Sequence, residues 1–223
     1  MLTHWKRRAT TGALTAVMAA TAFTGVAQAD LPQLSTGVQA YQAAPSSTHV
    51  FKYINQDQGQ ETQWVDCGPT SVLMALLDNG GRIPSSYTEE SQAAAITELR
   101  GEAPSGGMEG TNYLNGPDIM SILSRHGVEG TELAREKAVE AIDQIKQGKK
   151  AIVLTQTDVL YDEKGDAGYG HFVYVSGYNP GTGTFTVNDP LNRKEQPYEA
   201  TEDQLRTMIT SPAKGNMQWV YAI

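Results

Sequence analysis

The residue of this chain whose type points most directly to chemistry is Cys67, the single cysteine among 223 residues. A thiol attacks carbon as the thiolate, and a free cysteine with a pKa near 8.5 is only a few per cent ionised at neutral pH. Residues 70–77 are apolar nearly all round. They predict a buried helix that begins near Cys67 and stops at Asn79-Gly80-Gly81. Because a helix N-terminus favours an anion, the sequence predicts an activated thiol; the alternative is a small, inert, buried cysteine.

A thiol nucleophile needs a base, and His171 is the histidine best placed to be one. The chain has four histidines. His126 is predicted at a helix end, where it can cap carbonyl groups or face water, and His49 precedes the first predicted strand. His171 instead opens the predicted strand 170–178 directly after a glycine, so the imidazole has space at the end of a sheet. We therefore expect His171 to be the base, the alternative being a core histidine that is satisfied locally.

Asp189 is the predicted acceptor for the second imidazole nitrogen of His171. The predicted strands 170–178 and 184–188 are joined by a tight hairpin signal around Gly181-Thr182. If the hairpin turns there, equally spaced residues pair and Asp189 approaches His171. A carboxylate in that place fixes the imidazole tautomer and stabilises the imidazolium. The alternative for Asp189 is a turn residue before a proline.

The elements predicted from hydrophobic periodicity form an α+β fold, in which helices precede an antiparallel sheet. After the Cys67 helix, the predicted helices cover residues 89–99, 117–126, 135–147 and 201–209, and residues 101–110 form a glycine-rich loop. The predicted strands cover residues 49–55, 150–156, 170–178, 184–188 and 218–222. We expect the Cys67 helix to pack on this sheet, because rigid support fixes the direction of a nucleophile.

The first residues of the chain have the pattern of a secretory signal peptide. Lys6, Arg7 and Arg8 are basic, residues 12–26 are small and apolar, and Ala27-Gln28-Ala29 fits the cleavage motif. A transmembrane helix would need about 18 continuous apolar residues, and threonines interrupt this run. We therefore expect a secreted, extracellular protein with no transmembrane domain in its mature chain. The predicted divisions are a signal peptide at 1–29, a flexible arm at 30–48 and one domain at 49–223.

Charge and cysteine usage exclude several kinds of partner and cofactor. The formal net charge of −8 becomes −11 when Lys6, Arg7 and Arg8 are removed, which argues against nucleic acid and anionic membranes. In an oxidising compartment, a lone cysteine is either an intermolecular bridge or a reactive thiol. One cysteine with one well-placed histidine gives no usual metal-ligand spacing. We therefore expect neither a metal site nor a cofactor, and the sequence does not indicate an oligomeric state.

Four separated segments together carry a resemblance to a known family: DCGPTSVLMALL, KAIVLTQ, GHFVYVSGY and TFTVNDP. In this order, over residues 50–223, the chain resembles the bacterial bacteriocin-processing-type (double-glycine leader peptidase-like) family of the papain-like cysteine peptidases. The resemblance implies a papain-like fold, with Cys67 as nucleophile, His171 as general base and acid, and Asp189 as the orienting residue. It also implies an oxyanion donor upstream of the cysteine. Gln56 fits this role best because it follows a predicted strand, whereas Gln60 and Gln63 are nearer the cysteine in sequence.

These observations predict a secreted cysteine peptidase or amide hydrolase that acts on a peptide or protein through a thioester acyl-enzyme. No segment resembles a transporter or an ATPase, so leader processing coupled to export is not implied. Two alternatives remain open at this point. One is an acyl or peptidyl transferase that uses the same triad, and the other is a papain-like binding module without catalysis.

Overall fold

An antiparallel sheet forms the centre of the computed structural model, which describes residues 51–106, 113–161, 168–192, 195–212 and 215–223. The strands within these residues are β1 (Thr131–Ala134), β2 (Ala151–Gln156), β3 (Gly170–Asn179), β4 (Thr184–Asn188), β5 (Tyr198–Thr201) and β6 (Trp219–Ala222). The described strands lie in the order β1-β6-β2-β3-β4-β5, and neighbours are antiparallel throughout.

Helices cover both faces of this sheet. Those of the described ranges are α1 (Cys67–Asn79), α2 (Ala93–Gly101), α3 (Gly116–Arg125), α4 (Ala141–Lys146), α5 (Thr157–Tyr161) and α6 (Glu202–Thr210), with 3₁₀ turns at Gln63–Val65 and Arg135–Glu140. One apolar core lies between the sheet and α1, α2 and α3, and a second lies between the sheet and α4 and α6. The predicted α+β class, with the cysteine helix packed on an antiparallel sheet, is confirmed.

Alternation along the central strands explains why there are two cores. Ile152 of β2 and Tyr174 of β3 pack into the core of α1. Their neighbours Val153 and Val173 pack into the core of α4 and α6. Successive side chains of a strand point to opposite faces, so strands that are apolar at nearly every position are buried on both sides.

Helix α1 begins and ends where the sequence predicts. All of its residues from Cys67 to Leu77 are buried, so the helix is apolar on every side. It ends at Gly80, whose φ of 68° is left-handed and whose N–H bonds to Leu76 O. This is a glycine C-cap, in which a residue without a β-carbon adopts the conformation at no steric cost.

The predicted strand at 49–55 is wrong for the residues that are described. Residues 51–55 have no strand pairing, and 49–50 lie outside the described residues. Phe51 and Tyr53 pack against the α1 core, so the alternating pattern reflects half-burial of an irregular segment. The next residue, Gln56, bonds through its N–H to Pro190 O at 2.8 Å, which ties the segment to the chain that follows β4.

Two predicted helices are shorter than expected. The helix predicted at 89–99 begins only at Ala93, because Gln92 bonds through its side chain to Thr88 O and through its N–H to Gln58 Oε1, which holds a turn there. The helix predicted at 135–147 is a 3₁₀ turn followed by the six-residue α4. Its first residue, Arg135, has a φ of 56°, which an α-helix does not accommodate.

Strands β1 and β5 were not predicted, and each has a single buried side chain. These side chains are Leu133 and Ala200. With one apolar position, neither strand displays the alternation on which a sequence-based prediction depends. Both lie at the edges of the described sheet, where pairing on one side and short length are usual.

The predicted signal peptide at 1–29 and arm at 30–48 lie outside the described residues and stay predictions, as does the domain boundary at 49. Within the described ranges, every helix is too short or too polar to cross a membrane.

Candidate active site

His171 and Asp189 form a buried hydrogen-bonded pair at one end of the sheet. His171 is the second residue of β3, opposite Thr155 of β2, and Asp189 directly follows β4. The imidazole Nε2 of His171 lies 2.7 Å from Asp189 Oδ1, and both side chains are almost completely buried. The structure thus brings together the two residues that the hairpin was predicted to join.

The register of the hairpin differs from the predicted one by a residue. Equal spacing about Gly181-Thr182 would pair Asp189 with Tyr174, but a bulge between Val175 and Gly177 pairs Tyr174 with Asn188 instead. The extra residue moves Asp189 one position further toward the start of β3, where His171 lies. A bulge of this kind redirects side chains at a strand end.

The Asp189 carboxylate is held in place from several directions. Its Oδ1 atom accepts a second hydrogen bond, from Leu191 N at 2.9 Å. Its carbonyl oxygen accepts bonds from the Tyr53 hydroxyl at 2.7 Å and from Asn192 N at 3.0 Å. Asp189 is therefore a fixed acceptor that orients the His171 ring.

Cys67, the first residue of α1, is buried within hydrogen-bonding reach of the His171 side chain. Because Nε2 of His171 bonds Asp189, Nδ1 is the nitrogen left for the thiol. Ser71, one turn further along α1, donates to Phe172 O at 3.2 Å, which joins the start of the helix to β3 beside the imidazole. The predicted nucleophile, base and orienting residue therefore lie in one contiguous group.

The surroundings of His171 favour its protonated form. Burial lowers the pKa of the imidazole most strongly, but hydrogen bonds to Asp189 and Cys67 and the charges of both residues raise it. The net result is a pKa raised from 6.5 to about 10. Imidazolium beside a thiol is the arrangement that supports a thiolate nucleophile.

A buried ion pair fixes the chain directly before Cys67. The guanidinium of Arg100 contacts Asp66 Oδ1 at 2.5–2.6 Å, and both side chains are fully buried. The second carboxylate oxygen of Asp66 accepts bonds from Gln60 Nε2 at 2.9 Å and from the Thr62 hydroxyl at 2.8 Å. The pair links α2, the glutamine-rich segment and the first turn of α1.

Sequence reasoning missed this ion pair, although a signal existed. Arg100 lies one residue beyond the predicted helix 89–99 and four residues after Ile96, so it shares the apolar face of Ile96 once the helix continues to Gly101. An arginine on a buried face requires a buried anion. Asp66 next to the cysteine is the carboxylate that meets this need.

Gln56, Gln60 and Gln63 belong to one hydrogen-bonded loop, which we define as residues 56–66 and call the glutamine loop. Gln56 is buried and donates from Nε2 to Gln63 O at 2.6 Å. Gln60 donates from Nε2 to both Gln56 O and Asp66 Oδ2. Gln60 therefore uses both amide hydrogens inside the loop, while Gln56 uses one. Of Gln56 and Gln60, Gln56 is therefore the better candidate for an oxyanion donor.

A groove of about 690 Å³ lies beside the candidate triad. Its floor includes Phe172 and Trp219, whose rings meet edge to face with centroids 5.7 Å apart. Its walls include Tyr113 and Tyr169. Leu114, which also lines the groove, packs against Gly68, the residue after Cys67, and Gly170 and Phe172 of the lining are the two neighbours of His171, so the groove lies next to the start of α1 and of β3. Sequence reasoning did not find this groove, because its described lining residues come from five separate segments.

The other histidines do not join the site as far as they are described. His126 was expected to cap carbonyls or face water, but it is buried, with Nε2 3.0 Å from Glu102 Oε1 and Nδ1 against Arg82 O. His126 thus links the end of α3 to Glu102, which follows α2. His49 lies outside the described residues. Within the described part of the chain, no three histidine, cysteine or acidic side chains group as metal ligands do.

The fold is similar to that of a crystal structure from Bacillus anthracis assigned as a C39-like peptidase. The TM-score is 0.51 at 12% sequence identity, over 78% of this chain and 94% of that chain. At this identity the likeness concerns the fold alone, and it confirms the papain-like architecture expected from the sequence. No curated protein sequence matches the chain. Residues 48–211 match the model of the Peptidase_C39 like family. This match covers well over half of the protein, and the chain therefore belongs to that family of papain-like cysteine peptidases.

Proposed function

We propose that this protein is a cysteine peptidase that hydrolyses peptide bonds with Cys67, His171 and Asp189 as its catalytic triad. One observation carries the proposal: the buried imidazole of His171 bonds Asp189 at 2.7 Å and lies within reach of the Cys67 thiol at the start of α1. A nucleophile, a base and a residue that orients the base are the parts that covalent acyl transfer requires.

The first half of the reaction forms a thioester. The sulfur of Cys67 attacks the carbonyl carbon of the substrate, and the negative charge moves to the carbonyl oxygen. His171 holds the proton of the Cys67 thiol as an imidazolium that Asp189 stabilises, and it donates this proton to the leaving amine as the carbon–nitrogen bond breaks. General acid–base catalysis of this kind typically contributes about 10²- to 10⁴-fold in rate.

The second half of the reaction releases the acid product. His171 takes a proton from water, the water oxygen attacks the thioester carbon, and the carbon–sulfur bond breaks. Asp189 stays ionised throughout, since its role is to hold the ring and stabilise the imidazolium. An amine in place of water would give the transferase product, so the fate of the thioester distinguishes hydrolase from transferase.

The developing oxyanion is bound by the backbone N–H of Cys67 and the free amide hydrogen of Gln56. Backbone N–H groups of the first helical turn have no intrahelical partner. Gln56 is supported by its backbone bond to Pro190 O and its side-chain bond to Gln63 O. These contacts hold a donor in advance of the charge it stabilises, which is the condition for a large electrostatic effect.

We further propose that the peptidase acts outside the cell after removal of residues 1–29. The basic Lys6, Arg7 and Arg8, the apolar run that follows and Ala27-Gln28-Ala29 support this proposal. N-terminal sequencing of the protein recovered from the culture medium tests it, with Asp30 as the expected first residue.

The test of the enzymatic function is a parallel digestion of a peptide library by the wild type and by Cys67→Ala. Mass spectrometry should find cleavage by the wild type and none by the variant, which removes the sulfur with little loss of packing. A parallel digestion with an added amine reports any amide products of transfer. Equal product sets from wild type and Cys67→Ala, or full activity of His171→Ala, would exclude the triad.

A further inference from the structure

The large apolar side chains exposed on the described surface all belong to segments at the candidate active site. They are Trp64, Tyr113, Tyr169 and Met217, with exposed fractions of 71%, 49%, 68% and 52%. Trp64 is three residues before Cys67, and Tyr169 is two residues before His171. Tyr113 directly precedes Leu114, whose side chain packs against Gly68 next to Cys67, and Met217 lines the same groove as Tyr113 and Tyr169. Exposed apolar surface gathered at one place indicates a binding surface.

The groove residues and the loop that carries Trp64 are attached to different parts of the sheet. The groove with Tyr113, Tyr169 and Met217 lies over the β6-β2-β3 part of the sheet, because Trp219, Leu154 and Phe172 of those strands line it. Trp64 belongs to the glutamine loop, which is fastened to the chain after β4. Gln56 N bonds Pro190 O, and Asn55 Nδ2 bonds Asn192 O at 3.2 Å. Since β3 lies between β2 and β4, the groove lies on the β2 side of His171, and the loop that carries Trp64 is anchored on the β4 side.

The chemistry of the groove defines what it can hold. Among its described lining residues, Glu132 alone carries a charge, and it accepts a hydrogen bond from Trp219 Nε1 at 2.8 Å. The other walls and the floor are largely aromatic or aliphatic. At about 690 Å³, the groove is within the size range of ligand sites and has room for more than one large side chain. The groove therefore suits bulky apolar side chains of a substrate. It disfavours acidic side chains, because Glu132 repels them and no cation is among the described lining residues.

We propose that this cleft binds an extended polypeptide with bulky apolar residues on both sides of the attacked bond, which makes the protein an endopeptidase for apolar segments. The inference rests on the proposed peptidase function and adds the substrate class. The groove holds the side chains on one side of the bond, and Trp64 contacts those on the other. Binding on both sides suits a bond inside a chain, because a terminal residue would leave one surface unused.

The test uses peptides blocked at both ends by acetyl and amide groups, with the residues around the cleaved bond randomised. Mass spectrometry of the products of the full mature chain should show cleavage of these blocked peptides, large apolar residues on both sides of the bond, and few acidic residues in the groove-side positions. If the protein cleaved peptides with free ends but not the blocked peptides, the endopeptidase assignment would be overturned.

Variants of exposed residues locate the two surfaces. Trp64→Ala should lower kcat/KM about 10-fold or more for substrates with an apolar residue on one side of the bond. Met217→Ala and Tyr169→Ala should lower kcat/KM by a similar factor for substrates with an apolar residue on the other side of the bond. Lys149→Ala, which truncates an exposed side chain on the loop after α4, should change neither. Glu132→Lys should admit acidic residues on the groove side, whereas Glu136→Lys, an exposed glutamate outside the groove, should not.

The outcomes separate this inference from the function on which it rests. If wild type and Cys67→Ala give the same products, the peptidase proposal fails. If the wild type cleaves without any preference for apolar residues, or if Trp64→Ala and Met217→Ala alter the same side of the bond, the peptidase stands and the two-sided cleft is wrong. Thermal unfolding of each variant checks that the fold is intact.

Discussion

The imidazole Nε2 of His171 lies 2.7 Å from Asp189 Oδ1, and both side chains are buried at the open end of the hairpin that joins β3 to β4. The hairpin makes this pairing a local event, since 18 residues separate the two. Burial without Asp189 would favour neutral imidazole, so the carboxylate decides the charge of the base.

The first prediction concerns the pH at which kcat/KM falls on the alkaline side. Because the pKa of His171 is raised to about 10, kcat/KM of the wild type should persist above pH 7 and fall only as the pH approaches that value. In Asp189→Asn the amide still accepts a hydrogen bond but carries no charge. Its alkaline limb should therefore move toward lower pH, while it retains more activity than His171→Ala. Profiles of kcat/KM against pH for the three proteins check this, and coincident limbs would contradict it.

The same pair should make stability depend on pH. A histidine whose pKa is raised on folding contributes stability that is complete below its unfolded pKa, near 6.5, and is lost as the pH rises through the folded pKa, here about 10. The free energy of unfolding of the wild type relative to His171→Gln should therefore decrease between these two values. Urea denaturation across this range measures it. A difference that is constant or grows with pH would show that the imidazole is not held protonated.

Gln56 should affect the rate of reaction more than the binding of substrate. If its amide stabilises the oxyanion, Gln56→Ala should lower kcat about 10²- to 10³-fold with a smaller change in KM. Gln58→Ala is a matched control, because Gln58 lies in the same loop but donates to Asn55 O and Gln92 Oε1 instead. Steady-state kinetics with thermal unfolding check the prediction. Equal losses in the two variants would indicate a structural role for the loop.

The residues of the candidate triad could be found from the sequence because local patterns position each of them. The helix of Cys67 is set by an apolar run and a glycine stop, and the pairing of His171 with Asp189 by a tight hairpin. The bulge at Val175 could not be predicted, since its cause is a single extra residue in the ladder. It nevertheless left the approach of the two side chains intact.

What the sequence could not supply depends on contacts between distant segments. The Arg100–Asp66 pair joins residues 34 apart, and the groove assembles Tyr113, Leu154, Tyr169 and Trp219 from separate elements. Residues 51–55 alternate like a strand, but the pairing partner that a strand requires is absent from their described surroundings. Periodicity reports burial, and it does not report what a segment packs against.

The buried ion pair before Cys67 gives the last prediction, which concerns stability. Arg100→Met leaves the Asp66 carboxylate buried without its cation, and removal of one partner of a buried pair typically costs about 3–5 kcal/mol in free energy of unfolding. Asp66→Asn combined with Arg100→Met removes both charges and should recover part of this loss. Lys146→Ala is the control, because it breaks a bond of similar length to Glu202 between partly exposed side chains and should change little. Urea denaturation of the four proteins measures these differences. If Arg100→Met were as stable as the wild type, the buried Asp66 carboxylate would not need the Arg100 cation. The start of α1 would then be fixed by its apolar packing alone.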